Sequence, residues 1–201
     1  AEAVWVRCDV TVEAEVEAMV ARAVSEFGRV DFAFNNAGVG PDGVTIPFAP
    51  LTELTESDWD RVVDTNLKGV FLCLKHELRQ MRAQGWGVIV NTSSTAGQRT
   101  VPAFGAYGPS KAGVISITRL AAEESKSEGI RVNAVCPGPT KRTGMFGRLM
   151  SCIEAGGAPG GMPPITGEPE DVARVVIWLC SDEAAHVTGN VLSVDGGLDI
   201  P

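Results

Sequence analysis

Apolar positions along the chain follow two different spacings, and the two alternate. In residues 12–27 apolar side chains recur every three or four positions, which predicts a helix with one buried face, started by Thr11 as N-cap and ended by Gly28. Residues 88–92 instead begin with three consecutive β-branched apolar residues and show no alternation of polar positions, which is typical of a strand covered on both faces. The same distinction predicts further strands at residues 4–8, 31–34, 131–136 and 191–194, and further helices at residues 55–63, 66–81, 106–127, 145–153 and from residue 167.

This alternation of strands and helices predicts an α/β fold. Its sheet should be doubly wound and mostly parallel, lying between two helical layers in a three-layer αβα arrangement with right-handed crossovers. No repeat or linker interrupts residues 1–201, so we expect one domain. Residues 55–81 are compatible with two helices or with one bent helix.

Residues 139–167 break this regularity. The segment is rich in Gly, Pro and Met and carries one short predicted helix, which is typical of a mobile flap over a ligand site. A fold of this kind normally begins with a strand, a glycine-rich turn and a helix, yet no such glycine cluster precedes Val4. We therefore expect that roughly fifty residues of the fold's N-terminal part are absent from this chain.

Charge and hydropathy exclude two classes of partner. The formal net charge of -8 provides no basic surface for nucleic acid. No stretch reaches the length of a membrane span, and the N-terminal residues are unlike a signal peptide. These features favour a cytoplasmic protein that binds a small molecule.

Cysteine and histidine spacing gives no sign of a metal site or a disulfide framework. The two histidines, His76 and His186, are far apart in sequence, and we expect surface or packing roles for them. The cysteines are scattered and show no C-x-x-C spacing, so we expect small core residues and predict no metal ligands. They are Cys8, Cys73, Cys136, Cys152 and Cys180.

Candidate chemistry begins with Tyr107 and Lys111 on the helix at residues 106–127. They are four positions apart, so both side chains lie on one helical face with Cβ atoms about 5–6 Å apart. A tyrosine titrates near pH 10, and a neighbouring ammonium would favour its phenolate and make it usable as an acid or base near neutrality. A helix-start tyrosine beside a solvated lysine is the alternative for this pair alone.

Further polar residues stand where such a site could use them. Ser93-Ser94 follows the strand at residues 88–92, with Ser94 thirteen positions before Tyr107, and a hydroxyl there should lie at the carboxyl edge of the sheet where these folds bind ligands. Asn66 is predicted at the start of a helix, where by itself a capping amide is the favoured role.

Taken together, these residues and their order resemble the short-chain dehydrogenase/reductase family, whose fold is Rossmann-like. The resemblance runs from Asp9 to Gly197. Its motifs are Asn35-Asn36-Ala37-Gly38 (N-N-A-G), Asn66, Ser94, the Y-x-x-x-K element from Tyr107 to Lys111, and the loop Pro137-Gly138-Pro139-Thr140.

The resemblance implies an NAD(P)-dependent oxidoreductase that interconverts a secondary alcohol and a ketone. Tyr107 would exchange a proton with the substrate oxygen, which Ser94 would orient. Lys111 would lower the Tyr107 pKa and hydrogen-bond the nicotinamide ribose, and Asn66 would steady a water in a proton relay. A homotetramer is implied as well, with residues 66–81 and 106–127 offering apolar faces.

The resemblance also implies a set of cofactor contacts. Asp9 and Val10 would lie beside the adenine, Asn35, Ala37 and Gly38 beside the adenosine ribose, and Thr140 at the carboxamide. Pro137 and Gly138 belong to the loop that flanks the nicotinamide, and Tyr107 and Lys111 complete the set. NAD and NADP are not distinguished, because the residue that separates them would lie in the absent N-terminal part.

Some features depart from the family pattern. Pro109 falls inside the Y-x-x-x-K element, although the first helical turn tolerates proline. The arginine often found before the G-x-P-E element is missing ahead of Gly167, and residues 40–50 are longer than in many relatives. The substrate stays open among sugars, polyols, steroids, secondary alcohols and acyl-thioester ketones.

Three other functions are compatible with parts of this sequence. A catalytically silent nucleotide-binding or scaffold relative is the main alternative, and it is disfavoured because all four catalytic positions carry competent residue types. In a related enoyl reductase pattern six residues separate Tyr from Lys, whereas three do here. A nucleotide-sugar epimerase usually has a larger C-terminal substrate domain.

Overall fold

A computed structural model describes residues 2–157 and 163–198 of the chain. Its centre is a four-stranded parallel sheet in which the strands follow one another in chain order. The strands are β1 (Phe32–Asn35), β2 (Gly87–Thr92), β3 (Ile130–Pro137) and β4 (Val191–Val194). This arrangement confirms the predicted α/β class with a parallel sheet.

Helices cover both faces of the sheet. The helices are α1 (Glu13–Phe27), α2 (Glu56–Val63), α3 (Gly69–Gln84), α4 (Tyr107–Ser125), α5 (Gly144–Glu154) and α6 (Pro169–Cys180). On one face Ile89 of β2 packs in a fully buried cluster with α3 and α4, to which Val114 contributes. On the other face Val90 packs with Leu179 of α6. Neighbouring residues of β2 thus point to opposite layers, which explains why its sequence lacks polar alternation.

The segment between α2 and α3 is a π-helical turn, Asp64–Lys68, with helical dihedrals on both sides. Residues 56–84 therefore form one continuous helical run, which resolves the two possibilities left open by the sequence. The π-turn inserts an extra residue into the i to i−4 hydrogen-bond ladder, and such turns redirect the side chains that they carry.

Two sequence predictions near the N-terminus are wrong. Residues 4–8 form no strand, because within residues 2–157 and 163–198 no neighbouring strand supplies them with ladder hydrogen bonds, and Trp5 is 84% exposed. The N-cap of α1 is Val12, not Thr11, and it makes no side-chain capping bond. The Thr11 hydroxyl donates instead to the Asp9 carboxylate, at 2.8 Å. Gly28 does end α1, at φ +81°.

The segment at residues 139–167 contains α5, close to the predicted short helix. Its two ends meet in an isolated parallel bridge between Thr140 and Gly167, with Gly167 N–H donating to the Pro139 carbonyl at 2.9 Å. Residues 158–162 of the predicted flap lie outside the described residues. The described portion is thus a loop whose two ends are hydrogen-bonded to each other, which we call its closed neck.

The remaining predictions concern single side chains and hydropathy. Cys73 and Cys136 are buried, the other three cysteines are half-buried, and all are free thiols. His76 packs beside Glu13, with Nε2 and Oε1 3.2 Å apart, and His186 is exposed. In the described ranges no helix is long and apolar enough to cross a bilayer.

Candidate active site

The carboxyl end of β2 leads directly into the candidate site through two serines with different environments. The Ser93 hydroxyl donates to the main-chain carbonyl of Lys111 at 2.7 Å, so it ties the strand to α4. Ser94 caps a short 3₁₀ turn, with its Oγ accepting from the Ala96 N–H at 3.1 Å, and it hydrogen-bonds the Tyr107 side chain. Of the two serines, Ser94 is therefore the one that faces the tyrosine.

Tyr107 and Lys111 lie on the same face of α4. The Lys111 Nζ atom is 5.8 Å from the centroid of the Tyr107 ring. It donates to the Thr92 carbonyl at 2.9 Å, and the residue is 3% exposed. The ring itself packs against an apolar cluster that includes Ile46 and Val62. This geometry excludes the alternative of a solvated lysine beside a helix-start tyrosine.

Burial shifts both pKa values toward the neutral forms. Loss of hydration lowers the pKa of Lys111 to about 8, with the nearby Cys136 thiol opposing the shift. Loss of hydration also raises the pKa of Tyr107, and the hydrogen bond from Ser94 opposes that change. The predicted lowering of the Tyr107 pKa is thus not found in this structure, because desolvation of the phenol outweighs its polar contacts.

Asn66 lies inside the π-turn and is fully buried, so the prediction that it begins a helix is wrong, and a capping role is excluded. Its Oδ1 accepts from the Val39 N–H at 2.8 Å. Its Nδ2 donates to the Val39 carbonyl at 2.8 Å and to the Ser110 hydroxyl at 3.0 Å. The amide therefore pins the loop after β1 to α4.

Gly38 is where this loop meets the lysine. A Cβ at Gly38 would lie 3.2 Å from Asn66 Oδ1 and 3.3 Å from Lys111 Nζ. The bare main chain of Gly38 thus lies close beside the Lys111 ammonium, an arrangement that we call the Gly38 cradle. Three of the predicted residues, Gly38, Asn66 and Lys111, are therefore brought together.

The predicted adenosine-side residues are divided between two places. A cavity of about 160 Å³ at the carboxyl end of β1 is lined in part by Val10, Asn35, Asn36 and Ala37. Asp9 is exposed outside this lining. Hydrogen bonds from the main chain and hydroxyl of Thr11 hold the pKa of its carboxyl below the usual value.

The loop after β3 is folded on itself. Gly138 N–H donates to the Val194 carbonyl at 3.1 Å, and the Thr140 hydroxyl donates to the Gly138 carbonyl at 3.0 Å. Cys136, which precedes Pro137, is close enough to affect the pKa values of both Tyr107 and Lys111. The end of β3 therefore reaches the catalytic candidates, while Thr140 is turned into its own loop.

The sequence did not reveal which residues surround the Tyr107 ring. A Cβ at Gly40 would lie 3.1 Å from two carbons of the Tyr107 ring and 3.3 Å from Met145 Sδ. Arg148 of α5 pairs with the buried Asp42 at 3.1 Å, so α5 is fixed to the same loop. The only signal was Gly40 in a loop, and no periodicity connects it with α5.

The described residues offer no group of three or more His, Cys, Asp or Glu side chains that could hold a metal ion. What the site can do is proton transfer. It combines a phenol, a hydroxyl in hydrogen-bond contact with it and a buried ammonium at the carboxyl edge of a parallel sheet, which is the usual ligand crevice of such folds.

Comparison with known proteins agrees with this geometry. Residues 1–199 match a family model described as enoyl-(acyl carrier protein) reductase. The chain is 43% identical over 195 residues to a cis-4-hydroxycyclohexanecarboxylate dehydrogenase from Sinomonas cyclohexanicum, covering 97% of this chain and 76% of that protein.

Solved structures give the same result. An NAD⁺-bound xylitol dehydrogenase superposes with a TM-score of 0.82 at 35% identity, covering 94% of this chain and 77% of that one. ElxO with NADP bound superposes with a TM-score of 0.84 at 34% identity, covering 97% and 77%. One of these neighbours holds NAD⁺ and the other NADP.

Proposed function

The chain belongs to the short-chain dehydrogenase/reductase family, and from that premise we propose that it is an NAD(P)-dependent oxidoreductase interconverting a secondary alcohol and a ketone. The observation that carries the proposal is the convergence of Ser94, Tyr107 and Lys111 at the carboxyl edge of β2. The dehydrogenase relative named for a hydroxycyclohexane acid supports a ring-borne secondary alcohol as substrate.

Tyr107 and Ser94 would handle the substrate oxygen. In the reducing direction the neutral phenol donates its proton to the oxygen as the carbonyl carbon becomes an alcohol carbon. Ser94 orients that oxygen, because its hydroxyl is already in hydrogen-bond contact with Tyr107. A nicotinamide cofactor, when bound, would supply or accept the hydride. The high Tyr107 pKa keeps the phenol protonated, which suits proton donation.

Lys111 and Asn66 would support the proton transfer. With a pKa of about 8, the Lys111 ammonium is mostly charged at neutral pH, and its charge favours the phenolate left after donation. Both amide hydrogens of Asn66 are bonded to Val39 and Ser110, so a relay water held by this residue would have to bind through an oxygen.

The residues present fit a dinucleotide. The Gly38 cradle beside Lys111 leaves space that a side chain would fill, and the cavity at the end of β1 lies on the same sheet edge. We assign NAD or NADP to this edge, without choosing between them. The proposed contacts are Asp9, Val10, Asn35, Ala37, Gly38, Tyr107, Lys111, Pro137, Gly138 and Thr140.

Finer features of the proposal concern the whole protein. The described residues form one domain, the described parts of the segment at residues 139–167 act as a flap over the substrate, and the protein is a cytoplasmic homotetramer. Support comes from the closed neck of the flap and from apolar side chains such as Phe71 of α3 and Leu120 of α4, which are about half exposed. Light scattering that gives a monomer mass would contradict the tetramer.

Replacement of Tyr107 by Phe in the full chain tests the catalytic assignment. Loss of the phenol hydroxyl should lower turnover by about 10²-fold or more, because general acid catalysis contributes that much. Cofactor affinity, measured by quenching of protein fluorescence, should persist. Trp86→Phe, which changes an aromatic contact with Phe32 away from the site, is the control and should keep its turnover.

The readout is NAD(P)H absorbance across a panel of ring and open-chain secondary alcohols and ketones. Unchanged turnover in Tyr107→Phe would remove the tyrosine from the mechanism. No absorbance change with any substrate, despite measurable cofactor binding, would favour the catalytically silent relative.

A further inference from the structure

A buried carboxyl group lies behind the candidate site, on the α3 side of the sheet. Glu77 of α3 is 4% exposed. Its Oε2 accepts a hydrogen bond from the Asn35 side-chain Nδ2 at 2.9 Å. An ionisable side chain this deep in an apolar layer is costly unless a partner is fixed beside it, so the contact with Asn35 calls for a role.

The Glu77 contact is the first link of a chain of hydrogen bonds across the fold. The Asn35 Nδ2 atom also donates to Asn91 Oδ1 at 2.9 Å, and these two residues face each other in the register of β1 and β2. Asn91 Nδ2 donates to the Thr118 hydroxyl at 2.9 Å, which in turn donates to the Val114 carbonyl at 2.7 Å. The chain connects α3, β1, β2 and α4.

Both asparagines of this hydrogen-bond network, Asn35 and Asn91, lie next to the candidate site. Asn35 ends β1, and residues 36–38 follow it to the cradle at Gly38 beside Lys111. Asn91 precedes Thr92, whose carbonyl holds the Lys111 ammonium at 2.9 Å. The orientation of the two amides therefore bears on the main chain at Gly38 and on Lys111, which are both proposed cofactor contacts.

Glu77 determines which way the Asn35 amide points. Whether ionised or protonated, the Glu77 carboxyl keeps an oxygen that accepts from the NH₂ end of Asn35, and the second hydrogen of that NH₂ then reaches Asn91. With an apolar residue at position 77, one Asn35 N–H would be left without its buried acceptor, and the amide could rotate.

We propose that Glu77 is a positioning residue: through its hydrogen bond to Asn35 it fixes the turn at residues 36–38 against Asn66 and Lys111, and so sets cofactor affinity. The proposal rests on the proposed function, because it needs the cofactor at this edge. Glu77 itself touches neither cofactor nor substrate.

Two substitutions at position 77 separate the effect of losing the hydrogen-bond acceptor from the effect of changing the side-chain volume. Glu77→Gln keeps an acceptor oxygen, so its cofactor Kd and KM should stay within about twofold of the unchanged protein. Glu77→Met removes the acceptor and should raise cofactor Kd and KM about tenfold while kcat at saturating cofactor stays within about threefold. Leu78→Ala, a buried neighbour outside the network, is the matched control for lost packing.

The split between KM and kcat decides the outcome. An unchanged cofactor Kd in Glu77→Met, or an equal rise in Leu78→Ala, would overturn the proposal. Should Glu77→Met fail to fold, Glu77→Leu takes its place, since it also removes the acceptor and should raise cofactor Kd about tenfold. An unchanged cofactor Kd in Glu77→Leu would overturn the proposal as well.

These results are independent of the catalytic test. Loss of turnover in Tyr107→Phe together with unchanged cofactor Kd in Glu77→Met would leave the proposed function standing and remove the positioning role. Full turnover in Tyr107→Phe would instead remove the catalytic assignment, whatever the cofactor affinity of the Glu77 variants.

Discussion

Replacement of Lys111 by Met should make the protein more stable at pH 7 while abolishing its activity. The ammonium is almost fully buried, and its pKa falls from 10.5 to about 8 on folding. A lowered pKa means that the unfolded chain holds the proton more tightly, so the folded protein is penalised below pH 8 and regains stability as the pH rises toward 10.5. A difference of 2.5 between these values corresponds to about 3 kcal/mol.

Part of that penalty is offset by the hydrogen bond from Nζ to the Thr92 carbonyl, which the variant loses. Such a bond contributes about 1 kcal/mol, so Lys111→Met should be more stable by about 2 kcal/mol at pH 7. The advantage should disappear near pH 10, where the unchanged protein has shed the buried charge. Methionine fits because it is unbranched and apolar, as the lysine stem is.

Urea unfolding followed by tryptophan fluorescence at pH 7, 8, 9 and 10 measures this directly. Lys126→Met is the control, since Lys126 is exposed and paired with Glu123 at the C-terminus of α4, and its effect should be small at each pH. A stability difference between Lys111→Met and the unchanged protein that is the same at pH 7 and pH 10 would refute the reasoning from a buried ammonium.

Two further predictions concern packing and a second buried charge. A Cβ at Gly97 would lie 2.7 Å from the main-chain carbonyl carbon of Lys111, so Gly97→Ala should destabilise the fold by about 2 kcal/mol. The control is Gly147→Ala on α5, where a Cβ would have nothing within 4 Å, and thermal unfolding should show it to be neutral or stabilising. Burial raises the pKa of Glu77 from 4.5 to about 7. Between pH 4.5 and pH 7 the folded protein therefore holds a proton that the unfolded chain has lost, and its stability falls by about 3 kcal/mol as the pH rises across this window. Glu77→Gln should lack that loss, and parallel stability curves for the two proteins from pH 5 to pH 8 would contradict it.

Periodicity alone predicted most of the fold. The strands that became β2, β3 and β4 are short apolar runs between turn residues, and their pairing partners are all within the described chain. The run at residues 4–8 is similarly apolar, but no strand in residues 2–157 and 163–198 lies beside it to pair with. A strand is a property of two segments, so composition could identify the candidate but could not establish that a neighbour was there to pair with it.

The residues of the candidate site likewise fall into those that the sequence predicted and those that it did not. Tyr107, Lys111 and Ser94 were predictable because helical spacing and the end of a buried strand fix where they lie. Asn66 was placed at a helix start because no pattern of apolar residues signals a π-turn. Gly40 and Glu77 depend on contacts across more than forty residues or on the interior of a helix, and local spacing carries no information about either.

Desolvation explains why this pair of side chains suits proton transfer. In the resting site both the phenol and the ammonium are pushed toward neutrality, which leaves Tyr107 protonated and ready to donate. Once the proton has left, a phenolate faces an ammonium 5.8 Å from the ring centre. At an effective dielectric constant near 20 that attraction would be about 3 kcal/mol, or about two pKa units, which opposes but does not overcome the desolvation that raises the Tyr107 pKa. The lysine thus acts little on the neutral phenol and strongly on the charged one. Stabilisation that grows as the reaction proceeds is what lowers a barrier, because an equal stabilisation of both states would leave the rate unchanged.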